Sequence, residues 1–174
     1  MNETIKNILE RRSVRAFSEK KIAKEDLELI VSAAKSAPSG RNRRMAKFTV
    51  VQNKEMLKKL AAAVSQTLSL GDGYDFYRPD VLILASNAKD NPLGIEDCAC
   101  ALENIFVAAS SLGIGSVWIN QFKGICDKPA VRSVLREINL PENHIVLGCA
   151  ALGYPAEGVP VEMRQRTDAF EFIL

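Results

Sequence analysis

Arg11-Arg12-Ser13-Val14-Arg15 sets three guanidiniums and a hydroxyl within five residues, where an N-terminal helix runs out. A guanidinium donates two parallel charge-assisted hydrogen bonds from a planar fork, the side-chain shape best matched to phosphate. A solvated helix end, with arginines favoured by the macrodipole, has the same composition. The second stretch that bears on the choice is Ala37-Pro38-Ser39-Gly40-Arg41-Asn42-Arg43-Arg44. Pro38 stops the preceding helix, and Gly40 allows backbone conformations that other residues resist. Ser39, Gly40 and Asn42 offer N–H groups and short polar side chains, the edge that a flat heteroaromatic with ring nitrogens and carbonyls requires. An ordinary turn is written in the same residue types.

Around these stretches the hydrophobic pattern alternates between helix and strand. Ile5, Ile8 and Leu9 predict a helix over 2–12, and Leu27, Ile30, Val31 and Ala34 another over 24–35. Residues 47–52 read as a strand, and Asn53 caps a helix striped by Leu57, Leu60, Ala61, Val64 and Leu68. The continuous apolar run within 80–86 fits a strand buried on both faces. Residues 95–112 are apolar almost all round, which suits a core or a large subunit interface. Strands follow at 116–119 and 145–152, with Asp127 capping a helix between them. The expectation is an α+β fold in which helices surround a mostly antiparallel sheet of about four to five strands.

The length of 174 residues predicts one domain, 1–174, and the net charge of +2 is too small for a typical nucleic-acid binder. A short run of arginines suits a small anionic ligand better. The polar start carries no secretory pattern, and no apolar run approaches the roughly 20 residues of a membrane span. Cys98, Cys100, Cys126 and Cys149 show no CxxC spacing and read as buried thiols in a reducing cytoplasm. His144, the one histidine, leaves no material for a metal site and reads as a surface loop residue.

Arg-Arg-Ser-Val-Arg-Ala-Phe at 11–17 and Ala-Pro-Ser-Gly-Arg-Asn at 37–42 lead into Lys47-Phe48-Thr49-Val50-Val51. A long helix from Asp97 then ends in Leu112-Gly113-Ile114-Gly115-Ser116-Val117-Trp118-Ile119, and Leu147–Ala156 closes on Gly-Tyr-Pro. In that order these motifs resemble the nitroreductase family of FMN-dependent oxidoreductases over nearly the whole chain. The resemblance implies a nitroreductase-like fold and a homodimer with flavin at the subunit interface. By the same resemblance the tail, about 156–174, is expected to pack on the partner. It also implies NADH or NADPH as electron donor and no catalytic side chain, since flavin carries the chemistry.

The resemblance assigns Arg11, Arg12 and Ser13 to the FMN phosphate and ribityl end, and Arg15 to the pyrimidine edge of the ring. Pro38, Ser39, Gly40 and Asn42 match the segment supplied by the other subunit, with Asn42 bonding the isoalloxazine. Gly113, Gly115 and Ser116 correspond to the backbone over the buried face of the flavin. Arg164 or Arg166 matches a basic tail position that returns to the phosphate. Where many members continue Gln-Pro-Trp, this chain has Arg43-Arg44-Met45, and Tyr74, Phe76 and Tyr77 stand where a lid would be.

The function implied is hydride transfer from NAD(P)H through flavin to a nitroaromatic, quinone or similar small acceptor by a ping-pong route, in the cytoplasm, without nucleic acid or membrane. Two alternatives stay open at this point. One is a specialised member such as a dehalogenase, enone reductase or flavin-fragmenting enzyme, and the other is a non-catalytic anion or nucleic-acid binder.

Overall fold

A computed structural model of the chain describes residues 1–158 and 167–173. Helix α1 (Glu3–Glu10) is capped by Asn2, whose Oδ1 accepts the Ile5 N–H at 2.9 Å. It ends earlier than the periodicity suggests, so Arg11 is its C-cap and Arg12 lies beyond it. There follow α2 (Lys24–Lys35), β1 (Lys47–Val51), α3 (Lys54–Leu68), β2 (Val81–Ala88), α4 (Gly94–Ser111), β3 (Gly115–Ile119), α5 (Pro129–Glu137) and β4 (His144–Gly153). Asn53 caps α3 as expected, accepting the Met56 N–H at 2.9 Å.

The four strands form one antiparallel sheet in the order β1-β2-β4-β3. Alternate residues of β2 point to opposite faces. Leu82 and Leu84 meet Leu60, Val64, Val131 and Leu135 from α3 and α5. Val81, Ile83 and Ala85 meet Leu27, Ile30, Leu102 and Ile105 from α2 and α4. Helices therefore cover both faces, which is why the central strand is apolar without alternation although its neighbours are antiparallel. Beyond β3, residues 13–17 run along the sheet edge. Ser13 bridges Ser116, the Val14 N–H donates to the Ser116 carbonyl at 2.8 Å, and Phe17 bridges Pro155.

Several expectations are corrected. Helix α4 has one buried face, built from Cys98, Ala101, Leu102, Ile105 and Phe106, while Ile95, Cys100 and Glu103 face outward. Asp127 does not cap α5: Lys128 is its N-cap, and the Asp127 carboxylate instead accepts from Lys89 and Arg132 at 2.7 Å each. Pro129 at the start of the helix lacks an N–H that would have had no helical acceptor in any case. His144 opens β4 half-buried, its Nδ1 3.3 Å from Ser86 Oγ, because the strand starts earlier than its apolar run. Of the three aromatics at 74–77, Phe76 is fully buried against Phe122 and belongs to the core.

Candidate functional site

Helix α4 is the spine on which the two basic stretches are mounted. Near its N-terminus Asp97 is 4% exposed, and its Oδ1 accepts the Gly40 N–H at 2.6 Å. Its Oδ2 accepts from Asn91 Nδ2 at 3.2 Å, so both carboxylate oxygens are engaged inside the protein. Gly40 packs closely on Leu93, whose side chain would have to shift to admit a Cβ there. The left-handed conformations expected of Gly40 fall instead on Arg41, Asn42 and Arg44, with φ of 54°, 55° and 54°. Three non-glycine residues in that region carry a conformational cost that local bonds must offset. Those bonds are present. The Asn42 N–H donates to the Ser39 carbonyl at 2.9 Å, and the Arg44 N–H donates to Ser39 Oγ at 3.2 Å. Pro38, Ser39, Arg44 and Asp97 border a cleft of about 740 Å³ between α2, β1 and α4, floored by Phe48 and Ala101.

The other cluster lies further along α4. The Arg11 guanidinium sits 5.9 Å from the Phe106 ring centroid, and its Nε is 3.8 Å from Glu103 Oε1. Arg12 follows half-buried, and its Nε is enclosed with no hydrogen-bond partner among the described residues. Ser13 and Arg15 are exposed on either side of buried Val14. Val14 explains Gly115, where a Cβ would come within 2.9 Å of the valine. Gly113 adopts a φ of 70° at the end of α4, the left-handed turn that glycine takes most readily. Both glycines thus have reasons inside the fold, and Ser116, 2% exposed, gives its carbonyl to Val14. Trp118 on β3 remains 40% exposed beside Phe106, with ring centroids 5.8 Å apart.

Asp97 and Phe106 are nine positions apart on α4, roughly 14 Å at 1.5 Å per residue. The chain therefore brings Arg11, Arg12 and Ser13 together with Gly115 and Ser116, and holds Pro38, Ser39, Gly40 and Asn42 as a separate group. Arg164 and Arg166 lie outside the described residues. After them Phe170, Phe172 and Ile173 are 82%, 78% and 93% exposed, so their own chain does not cover them.

Among the described residues no group of three His, Cys, Asp or Glu could hold a metal, and no helix is long and apolar enough to cross a membrane. Burial pushes the Cys98 thiol up to about 12, helped by Asp97, and pushes Cys149 well above its usual range. Neither is a nucleophile near neutral pH. Cys100 is exposed, contrary to the expectation of buried thiols, because it faces away from the sheet on α4.

Two residues escaped the sequence reading. Asp97 marked only the opening of a long helix in the sequence, and nothing local tied it to Gly40, 57 positions away. Arg44 counted only as added charge, whereas its side chain makes three hydrogen bonds within the loop and the end of α2.

The sequence profile of the Nitroreductase family matches residues 8–154. A crystal structure of a nitroreductase with bound FMN from Bacteroides fragilis superposes with a TM-score of 0.93 at 38% identity, covering 100% of both chains. A candidate NADH dehydrogenase/NAD(P)H nitroreductase of Archaeoglobus fulgidus is 36% identical over 161 residues, 90% of this chain and 88% of that protein. The FMN reductase [NAD(P)H] of Bacillus subtilis is 27% identical over 177 residues, covering 90% of this chain and 68% of its own.

Proposed function

The chain belongs to the nitroreductase family and is an FMN-dependent NAD(P)H oxidoreductase, and from that premise we propose how its residues serve the reaction. When bound, FMN supplies the redox chemistry, drawing reducing equivalents from NADH or NADPH and passing them to an acceptor. The acceptor is a nitroaromatic, a quinone or a similar small oxidant, which uses the same open face as the donor in turn.

The observation that carries the binding assignment is the Arg12 Nε, enclosed beside Arg11 and Ser13 without a partner among the described residues. A buried guanidinium N–H left unbonded is costly, and a phosphate oxygen would satisfy it with a charge-assisted bond. Arg11, held over Phe106, adds a second cation, and the exposed Ser13 hydroxyl adds a neutral donor. Arg15 supplies positive charge at the pyrimidine edge, where it favours negative charge on the reduced ring. Gly113, Gly115 and Ser116 form the wall behind the ring and keep water from that side. Arg164 or Arg166 brings a further cation to the phosphate.

Pro38, Ser39, Gly40 and Asn42 come from the partner subunit in this reading, as their separation from Arg12 along α4 suggests. The assembly is a homodimer of single domains with flavin at the interface, in the cytoplasm. The apolar Phe170, Phe172 and Ile173 pack on the partner and so leave water. The family membership favours this enzyme over a non-catalytic anion or nucleic-acid binder.

Light scattering of dilute protein, read with flavin absorbance, tests the assembly: a dimer carrying two flavins is expected, and a flavin-loaded monomer contradicts it. Steady-state kinetics with NADH and NADPH against nitroaromatic and quinone acceptors tests the route. Parallel double-reciprocal lines are expected, and intersecting lines contradict a shared face used in turn.

A further inference from the structure

Arg44 stands where the family's usual motif has no arginine, yet its guanidinium is the most connected side chain in the loop. Its Nε donates to Asn42 Oδ1 at 2.7 Å, and its Nη1 donates to the Lys35 and Ala37 carbonyls at 3.0 and 2.9 Å. Lys35 is the last residue of α2, where carbonyls lack helical partners and a cation is favoured, and Ala37 follows just past the C-cap Ser36. One planar group therefore fastens the loop to the helix end and touches the amide of Asn42 at the same time.

The contact with Asn42 has a chemical consequence. A guanidinium Nε–H is always a donor, so the Asn42 atom facing it must be the oxygen. The Asn42 Nδ2, with two N–H groups, then points to the other side. No hydrogen bond among the described residues claims it. We propose that Arg44 is a positioning residue that fixes the Asn42 amide so that its NH₂, not its carbonyl, is offered to the flavin. Asn42 accordingly recognises an acceptor on the isoalloxazine edge, a ring nitrogen or carbonyl oxygen, and discriminates against a ring N–H at that place. This assignment rests on the reading that the loop contacts flavin. It also gives a reason why a chain lacking the rigid Pro-Trp continuation can hold Asn42 in a left-handed conformation.

The distinction from a plain electrostatic role lies in geometry. Lysine keeps the charge at position 44 but has no planar fork to span Asn42 and two carbonyls together. Aspartate at position 42 keeps an acceptor for Arg44 and removes the NH₂.

The test is FMN titration of the full-length protein, followed by flavin fluorescence quenching and the visible spectrum, with thermal melts of each variant as a folding check. Arg44→Leu, Arg44→Lys and Asn42→Asp should each weaken FMN binding about tenfold, the scale of one hydrogen bond. Each should also alter the fine structure of the flavin band. Asn42→Ala combined with Arg44→Leu should bind no more weakly than Asn42→Ala alone, since Arg44 acts through Asn42. Wild-type affinity and spectrum in Arg44→Lys would overturn the proposal in favour of simple charge. Full multiplication of the two single effects, or wild-type binding by Asn42→Asp, would overturn it as well. Failure of the wild-type protein itself to bind FMN removes the underlying reading and this inference with it, an outcome recognisable without any variant.

Discussion

The carboxylate of Asp97 and the backbone N–H of Gly40 meet at 2.6 Å inside the protein, joining the first turn of α4 to the loop that carries Asn42. The bond is charge-assisted, and the same carboxylate also holds Asn91. Asp97→Asn keeps the shape and loses the charge, while Asp97→Ala leaves the Gly40 N–H and Asn91 without their acceptor. The alanine variant should lose roughly 1.5–3 kcal/mol of stability and the asparagine variant less. Urea unfolding measures both, and an unchanged midpoint in Asp97→Ala contradicts the role of this contact.

Arg11→Ala and Ser13→Ala should fold and yet retain much less FMN. A charge-assisted phosphate contact is worth roughly 1.5–3 kcal/mol, or about ten- to a hundred-fold in affinity. Flavin occupancy after gel filtration in salt is the measurement. Full occupancy in Arg11→Ala sinks the phosphate assignment.

Arg15 separates redox tuning from anion holding. Arg15→Ala should lower the flavin midpoint potential while changing affinity less than Arg11→Ala does, because a nearby cation favours the negatively charged reduced ring. Arg15→Lys should keep most of the potential. Reductive titration against a reference dye reads the shift directly, and an unchanged potential in Arg15→Ala assigns Arg15 to the phosphate cluster or to solvent.

Tyr74 offers a test of packing against the core. Its hydroxyl is enclosed without a partner among the described residues, and burial pushes its ionisation far above the usual range. The ring packs edge-on against Phe76, with centroids 5.2 Å apart. Tyr74→Phe removes the unsatisfied hydroxyl and keeps the ring, so it should be neutral or stabilising by up to about 1 kcal/mol. A loss of more than that in thermal unfolding would show that the hydroxyl has a partner.

Periodicity and punctuation made the elements legible. The stripe Leu57-Leu60-Val64, the apolar run of β2 and the stop at Pro38 each depend on residues close in sequence, and each reappears in the fold. The order of the motifs around Arg11, Ser39, Gly113 and Gly153 carried the family. Contacts between distant residues were not legible. The sequence gives no sign that Asp97 serves Gly40, that Val14 rather than a ligand excludes a side chain at Gly115, or that Arg44 binds the end of α2. Such pairings follow from packing of segments that only the folded chain brings together. Asp127 and His144 show the converse error, in which a locally sensible role yields to a partner elsewhere.

The most direct measurement is the visible spectrum of freshly purified protein, followed by anaerobic addition of NADH or NADPH. A yellow protein is expected, its flavin band bleaching with either donor and returning when a quinone or nitroaromatic is added. The released cofactor should be FMN. A colourless protein that takes up no FMN, or a flavin band that neither nucleotide bleaches, contradicts the account.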